Sequence, residues 1–92
     1  MYRIKLARSF KKSYRRCQRR GYDMTLLDDV IEMLRKGETL PEKYHDHMPK
    51  GSFDGFHECH IRPDWLLIYL VEDDIVTMTM IDTGSHAELF QM

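Results

Sequence analysis

The chain has 92 residues, 42% of them hydrophobic and 32% charged, which describes one small globular domain and excludes global disorder. A domain of this size buries only about 60–65% of the surface its unfolded chain exposes, so modest stability is expected. The longest strongly apolar run, Trp65 to Val71, is seven residues, far short of the about 20 that span a bilayer, and no charged-then-apolar leader opens the sequence. No membrane association and a cytoplasmic location are expected. Cys17 and Cys59 lack CxxC spacing and read as reduced core residues rather than a disulfide or redox pair.

The net charge of -1 conceals an asymmetry: residues 1–20 hold nine Lys/Arg and no acid, whereas all fifteen acids lie in residues 21–92. A basic face on a near-neutral protein suits a polyanion or an acidic protein partner better than a merely solvated surface.

In chain order, Tyr2 to Ala7 alternates basic residues with Tyr2, Ile4 and Leu6, which predicts a strand with one buried face. From Ser9 the period changes. Phe10, Tyr14 and Cys17 make a narrow apolar stripe on a helix whose other sides carry Lys11, Lys12, Arg15, Arg16, Arg19 and Arg20, and Gly21 ends it. Asp23 or Thr25 can cap a second helix, on which Leu27, Val30, Ile31 and Leu34 repeat with helical spacing; Gly37 and Pro41 close it.

Leu40 to Gly55 is a long connection rich in His, Pro and Gly, and loops of that length in compact domains are often functional. Phe56 to Ile61 reads as a strand, Arg62-Pro63-Asp64-Trp65 as a turn, and Trp65 to Val71 as a central strand covered on both faces. Glu72-Asp73-Asp74 forms an acidic turn, and Ile75 to Ile81 returns with Val76, Met78 and Met80 on one face. The order β-α-α-β-β-β, with a short helical turn around His86 to Phe90, specifies an α+β domain. Two N-terminal helices should cover one face of an antiparallel sheet and leave the other partly free.

Four of the five histidines fall between His45 and His60, and the fifth, His86, lies in the run TGSHAELF. Zinc is the first alternative. It lacks thiolate pairs and an HExxH helix, and on a strand His57 and His60 project from opposite faces. Acid–base chemistry without a metal or other cofactor is the stronger reading, because histidine titrates near neutral pH. Cleaving RNA takes a base for the ribose 2′-hydroxyl, an acid for the leaving 5′-oxygen and a cation for the phosphorane. His47, His60, Asp64 and His86 are the acid–base candidates, with Trp65 and Phe90 as candidate stacking surfaces for unpaired bases.

Taken together, YHDH (Tyr44 to His47), GSFDGFHECHIRPDWLLIY (Gly51 to Tyr69) and TGSHAELF (Thr83 to Phe90) resemble the RelE superfamily of bacterial toxins, most closely its YafQ branch of ribosome-dependent mRNA interferases. The resemblance implies a single toxin domain over residues 1–92 that cuts translated mRNA without a metal. It implies His47, His60, Asp64 and His86 as the acid–base set, His86 protonating the leaving oxygen, and Trp65 and Phe90 helping to hold or orient the mRNA. The general base is left open. By the same resemblance the basic face of the first helix meets ribosomal RNA or an antitoxin. The cognate antitoxin would be of ribbon-helix-helix type, and operator DNA would be met only through the toxin–antitoxin complex.

Two positions depart from the family pattern. An arginine ordinarily precedes the TG of the last motif, where this chain has Asp82, and Phe53 stands where the pattern has tryptophan. Losing a well-placed donor costs about 10²–10³ in rate. Arg62, Lys50 or a first-helix arginine is left to fill the gap, or else activity is weak or altered. The alternative to an endoribonuclease is a binding protein on the same fold, inhibiting a protein target or catalytically silent.

Overall fold

A computed structural model describes residues 1–48 and 55–90. The elements are β1 (Arg3–Leu6), α1 (Arg8–Arg19), α2 (Met24–Arg35), β2 (Phe56–Arg62), β3 (Trp65–Glu72), β4 (Thr77–Gly84) and α3 (His86–Phe90), with short 3-10 turns at Glu42–Tyr44 and Asp73–Ile75. No helix among the described residues is long and apolar enough to cross a membrane.

The sheet order is β1-β4-β3-β2. The last three strands form the expected antiparallel meander, and β1 joins it parallel to β4, so the sheet is mixed. A parallel partner needs a crossover, and the α1–α2 hairpin supplies it. Where β1 ends, α1 takes over the edge of β4: Ala7 N–H donates to Met80 O, and the Ser9 hydroxyl donates to Ile81 O. A bulge between Ile68 and Tyr69 of β3 sets Ile81 outside the β3–β4 register. The strand expected over Ile75 to Ile81 starts later, after a 3-10 turn at Asp73–Ile75, and runs further, to Gly84. Val76, expected on its buried face, instead occupies the left-handed region at φ 49° and is exposed.

Asp23 caps α2 by accepting the Thr25 N–H, as its side-chain chemistry suggests. Leu27, Val30 and Leu34 then pack with Phe10 of α1 against Cys59, Ile61, Trp65, Leu67, Tyr69, Met78 and Met80. Alternation along β2 decides the rest. Cys59 and Ile61 face this core, so Glu58 and His60 face the side away from the α1–α2 hairpin. Both cysteines are free and buried, and burial chiefly pushes both thiols up, which suits core packing rather than redox chemistry.

Leu27, on the inner face of α2, is fully buried in the core. Leu27→Ala is expected to lower unfolding stability by about 2–5 kcal/mol in urea titrations, with cavity formation adding to the lost transfer energy.

Candidate functional site

The site assembles on the side of the sheet away from the α1–α2 hairpin from three segments: the chain around His47, strand β2 with its turn into β3, and α3. His60 pairs in register with Leu66, and Leu66 with Gly84, giving a row that runs from β2 across to the residue just before α3. Leu66 is fully buried in that row. Gly84 adopts φ 150°, and a Cβ there would approach Glu88 Oε1 to 3.0 Å and Arg16 Nη2 to 3.3 Å. A side chain would therefore displace the contacts that seat α3.

The turn after the 3-10 helix at Glu42–Tyr44 brings the distant loop in. His45 occupies the left-handed region at φ 47°, and His47 then exchanges both backbone hydrogen bonds with Glu58. The loop is further pinned by Asp46, whose carboxylate accepts from the Tyr69 hydroxyl at 2.6 Å. Burial first, then this bond, raises the Tyr69 phenol far above its ordinary range.

Three imidazoles converge. The His60 ring lies 6.3 Å from that of His47 and 5.7 Å from that of His86. Each is held at Nδ1: His47 by His45 O at 2.6 Å, His60 by Pro63 O at 3.3 Å and His86 by Asp64 Oδ1 at 2.7 Å. Carbonyls and carboxylates only accept, so Nδ1 carries the proton in all three neutral rings and Nε2 is left for chemistry. Asp64 also accepts the His86 backbone N–H at 3.1 Å, and these bonds from His86 hold its carboxyl below the ordinary value.

The structure brings His47, His60, Asp64 and His86 together, and Asp64, an acid–base candidate on sequence, accepts from both the backbone and the ring of His86. Phe90 is exposed, its ring 6.2 Å from His86, and remains available to a base. Trp65 does not have the expected stacking face. It is 3% exposed, donates its indole N–H to the Thr83 hydroxyl at 2.9 Å and meets Tyr22 edge-on, because β3 turns it toward the core. Arg62 is exposed at the β2–β3 turn. Lys50 and Phe53 lie outside the described residues.

Glu58 is not among the expected residues, yet its side chain is only 12% exposed and sits 3.9 Å from His47 Nε2 and 3.8 Å from His60 Nε2. The signal was two residues before His60: strand alternation puts positions 58 and 60 on one face. His45, left aside on sequence, also belongs here, with its ring 5.8 Å from His60. His57 is on the opposite face and is no surface residue. It stacks on Tyr69 with centroids 5.1 Å apart, and its Nδ1 is 3.5 Å from Asp46. The His57–His60 pair thus makes no metal site, but ligand atoms of Glu58, His60 and His86 lie within 4.8 Å of one another. One carboxylate and two imidazoles form a set that could hold zinc or copper.

The basic helix is divided. Arg16 and Arg20 both turn to Glu88 of α3, Arg16 Nε lying 2.9 Å from Glu88 Oε2. Lys11, Lys12, Arg15 and Arg19 stay exposed. Asp82 is also drawn to α1: its carboxylate accepts from the Ser13 hydroxyl and the Thr83 N–H. Glu88 closes a capping box on α3, accepting the Ser85 N–H at 2.9 Å while Ser85 Oγ accepts the Glu88 N–H at 3.2 Å. Burial pushes the Glu88 carboxyl up, but Ser85, Arg16 and Arg20 outweigh it and the net shift is downward.

A carboxyl lowered on folding adds stability above its unfolded value and loses it as pH falls through the folded value. Glu88 and Asp64 should both contribute this way, holding α3 in place above the ordinary carboxylate range and releasing it on acidification. Glu88→Gln should flatten the acid limb of a stability-versus-pH series followed by urea denaturation. An unchanged acid limb would remove Glu88 from the set of stabilising carboxylates.

The family model described as bacterial toxin of type II toxin–antitoxin system, YafQ, matches residues 2–91. The chain is 34% identical to the mRNA interferase toxin YafQ of Escherichia coli K12 over 88 residues, covering 95% of this chain and 94% of that protein. Among solved structures, YafQ in the E. coli DinJ–YafQ complex superposes with a TM-score of 0.90 at 33% identity, covering 98% of this chain and 99% of the other. A metal-bound toxin from Helicobacter pylori superposes with a TM-score of 0.92 at 37% identity, covering 98% and 100%. With nearly its whole length matched, the chain belongs to the YafQ family of bacterial toxins of type II toxin–antitoxin systems.

Proposed function

We propose that the chain is an endoribonuclease that cleaves translated mRNA on the ribosome by metal-independent acid–base catalysis and is neutralised by a cognate antitoxin. The observation that carries the chemistry is the group of three imidazoles with Nδ1 anchored and a carboxylate, Glu58, beside two of them. In this reading His60 removes the proton from the ribose 2′-hydroxyl through Nε2, and Glu58 stabilises the imidazolium that forms. The 2′-oxygen bonds to phosphorus, the P–O5′ bond breaks, and protonated His86 delivers its proton to the leaving 5′-oxygen. Charged His47 and exposed Arg62 balance the phosphorane, a task for which Asp82, bound to α1, is unsuited. The products are a 2′,3′-cyclic phosphate and a 5′-hydroxyl.

The relatives support the remaining parts. The E. coli relative is named an mRNA interferase toxin, and E. coli YafQ is solved with DinJ in a toxin–antitoxin complex. The exposed Lys11, Lys12, Arg15 and Arg19 suit ribosomal RNA or an acidic antitoxin segment. A ribbon-helix-helix antitoxin and operator binding through the complex belong to the same proposal. A metal ion at Glu58, His60 and His86 would supply a Lewis acid. In the proposed reaction these groups work as free acid and base, so a bound ion competes with them.

Primer extension on mRNA in a purified translation system tests the reading. His86→Ala and His60→Ala should each lower cleavage by about 10²–10⁴, the usual worth of a positioned acid or base. Growth arrest with intact mRNA would instead favour a protein target. With Mg²⁺ kept for the ribosome, cleavage should persist in a zinc- and copper-selective chelator, and added zinc or copper should inhibit it reversibly. Loss of cleavage in the chelator would overturn the metal-free mechanism.

A further inference from the structure

The catalytic hollow formed by His45, Asp46, His47 and His60 does not stand alone among the described residues. A second cavity of about 530 Å³ shares His45 and His60 with it and extends between the start of α2, the 3-10 turn and the β2–β3 turn. Its walls are the apolar side chains of Leu26, Ile61 and Pro63 together with Tyr44, and its rim carries Lys43 and Arg62. The mechanism above gives Leu26 and Tyr44 no task. Tyr44 packs against the core from a partly buried position, and Lys43 lies over its ring with Nζ 5.1 Å from the centroid.

We infer that this cavity is a subsite for one unpaired nucleobase of the mRNA next to the scissile phosphate, and that Leu26 and Tyr44 set base preference there. The inference rests on the endoribonuclease reading and deepens it. Three features point to a base rather than to another ligand. The cavity opens at His60, so a nucleotide whose phosphate lies against the imidazoles has its neighbouring base within reach. An aromatic ring with apolar walls offers the face-on and edge-on contacts that unstacked bases seek. Among the described residues the rim contains two cations and the lining no carboxylate, which favours the phosphate that follows the base.

Charge distinguishes this cavity from the one on the other side of Arg62 and Pro63. That hollow, also about 530 Å³, is lined by Asp23 and Asp64 as well as Tyr22 and the edge of Trp65. Two carboxylates there repel a phosphate chain, and one of them is already committed to His86. A purine offers more stacking area than a pyrimidine, so the subsite should favour purines.

The test uses the whole toxin on ribosomes programmed with mRNAs that differ only in the base on either side of the cleaved bond. Wild type should prefer a purine at one of these two positions by about tenfold or more in kcat/KM, the scale on which a pocket of this kind discriminates. Leu26→Trp, which intrudes into the cavity from the α2 side, and Tyr44→Ala, which removes the aromatic wall, should each reduce that preference to about twofold or less, mainly by slowing the purine substrate. The pyrimidine substrate serves as the internal control for folding, and a variant that loses both rates together is replaced by the other.

No base preference in wild type, or a preference that survives both substitutions, overturns the subsite while leaving the endoribonuclease reading intact. No cleavage by wild type of any of the mRNAs overturns that reading and the subsite with it.

Discussion

The Asp64 carboxylate, accepting both the backbone N–H and the Nδ1 proton of His86, is the contact on which the site depends. It joins two segments 22 residues apart and does so with a charge that His86 itself keeps ionised. Without it, α3 would be attached to this side of the site only by its own short length, and five residues make an intrinsically weak helix. Glu88 supplies the opposing hold by tying α3 to Arg16 and Arg20 of α1. His86 is thus suspended between the β2–β3 turn on one side and the first helix on the other.

The elements were legible because their periods are clean. The α2 stripe, its Asp23 cap and the apolar β3 run announce themselves in local sequence, and β2–β3–β4 follows from short turns. The parallel pairing of β1 is less accessible, since it depends on a connection of about 70 residues and on α1 replacing β1 along the edge of β4. The β4 boundary was displaced for a local reason, a β-branched residue in the left-handed region that no propensity anticipates.

Within the site, residues with unusual chemistry were easy to find and residues with ordinary chemistry were not. Histidines and the Pro-Asp-Trp turn stand out in any sequence, but Glu58 is one of fifteen acids. Only its alternation with His60 marks it. Trp65 was misjudged because an aromatic beside a catalytic motif is equally fit for base stacking and for the core, and the choice is made by which face of β3 it occupies. The basic helix was read as one surface, whereas helical rotation divides it: Arg16 and Arg20 look toward Glu88 while Lys11, Lys12, Arg15 and Arg19 face solvent. Part of a charge cluster visible in composition is therefore internal structure, and the remainder is what a polyanion meets.

The shared Nδ1 anchoring of His47, His60 and His86 has a consequence for how protons move. In water a neutral imidazole carries its proton mainly on Nε2, so folding has imposed the less common tautomer at three neighbouring positions. Each ring keeps its Nδ1 proton as a fixed tether and leaves Nε2 as the one nitrogen through which a proton is traded. No ring has to rotate between accepting a proton and giving one back. What folding settles is which nitrogen of each ring is tethered and which one faces the hollow, so the orientational cost that water would impose is met before any RNA arrives.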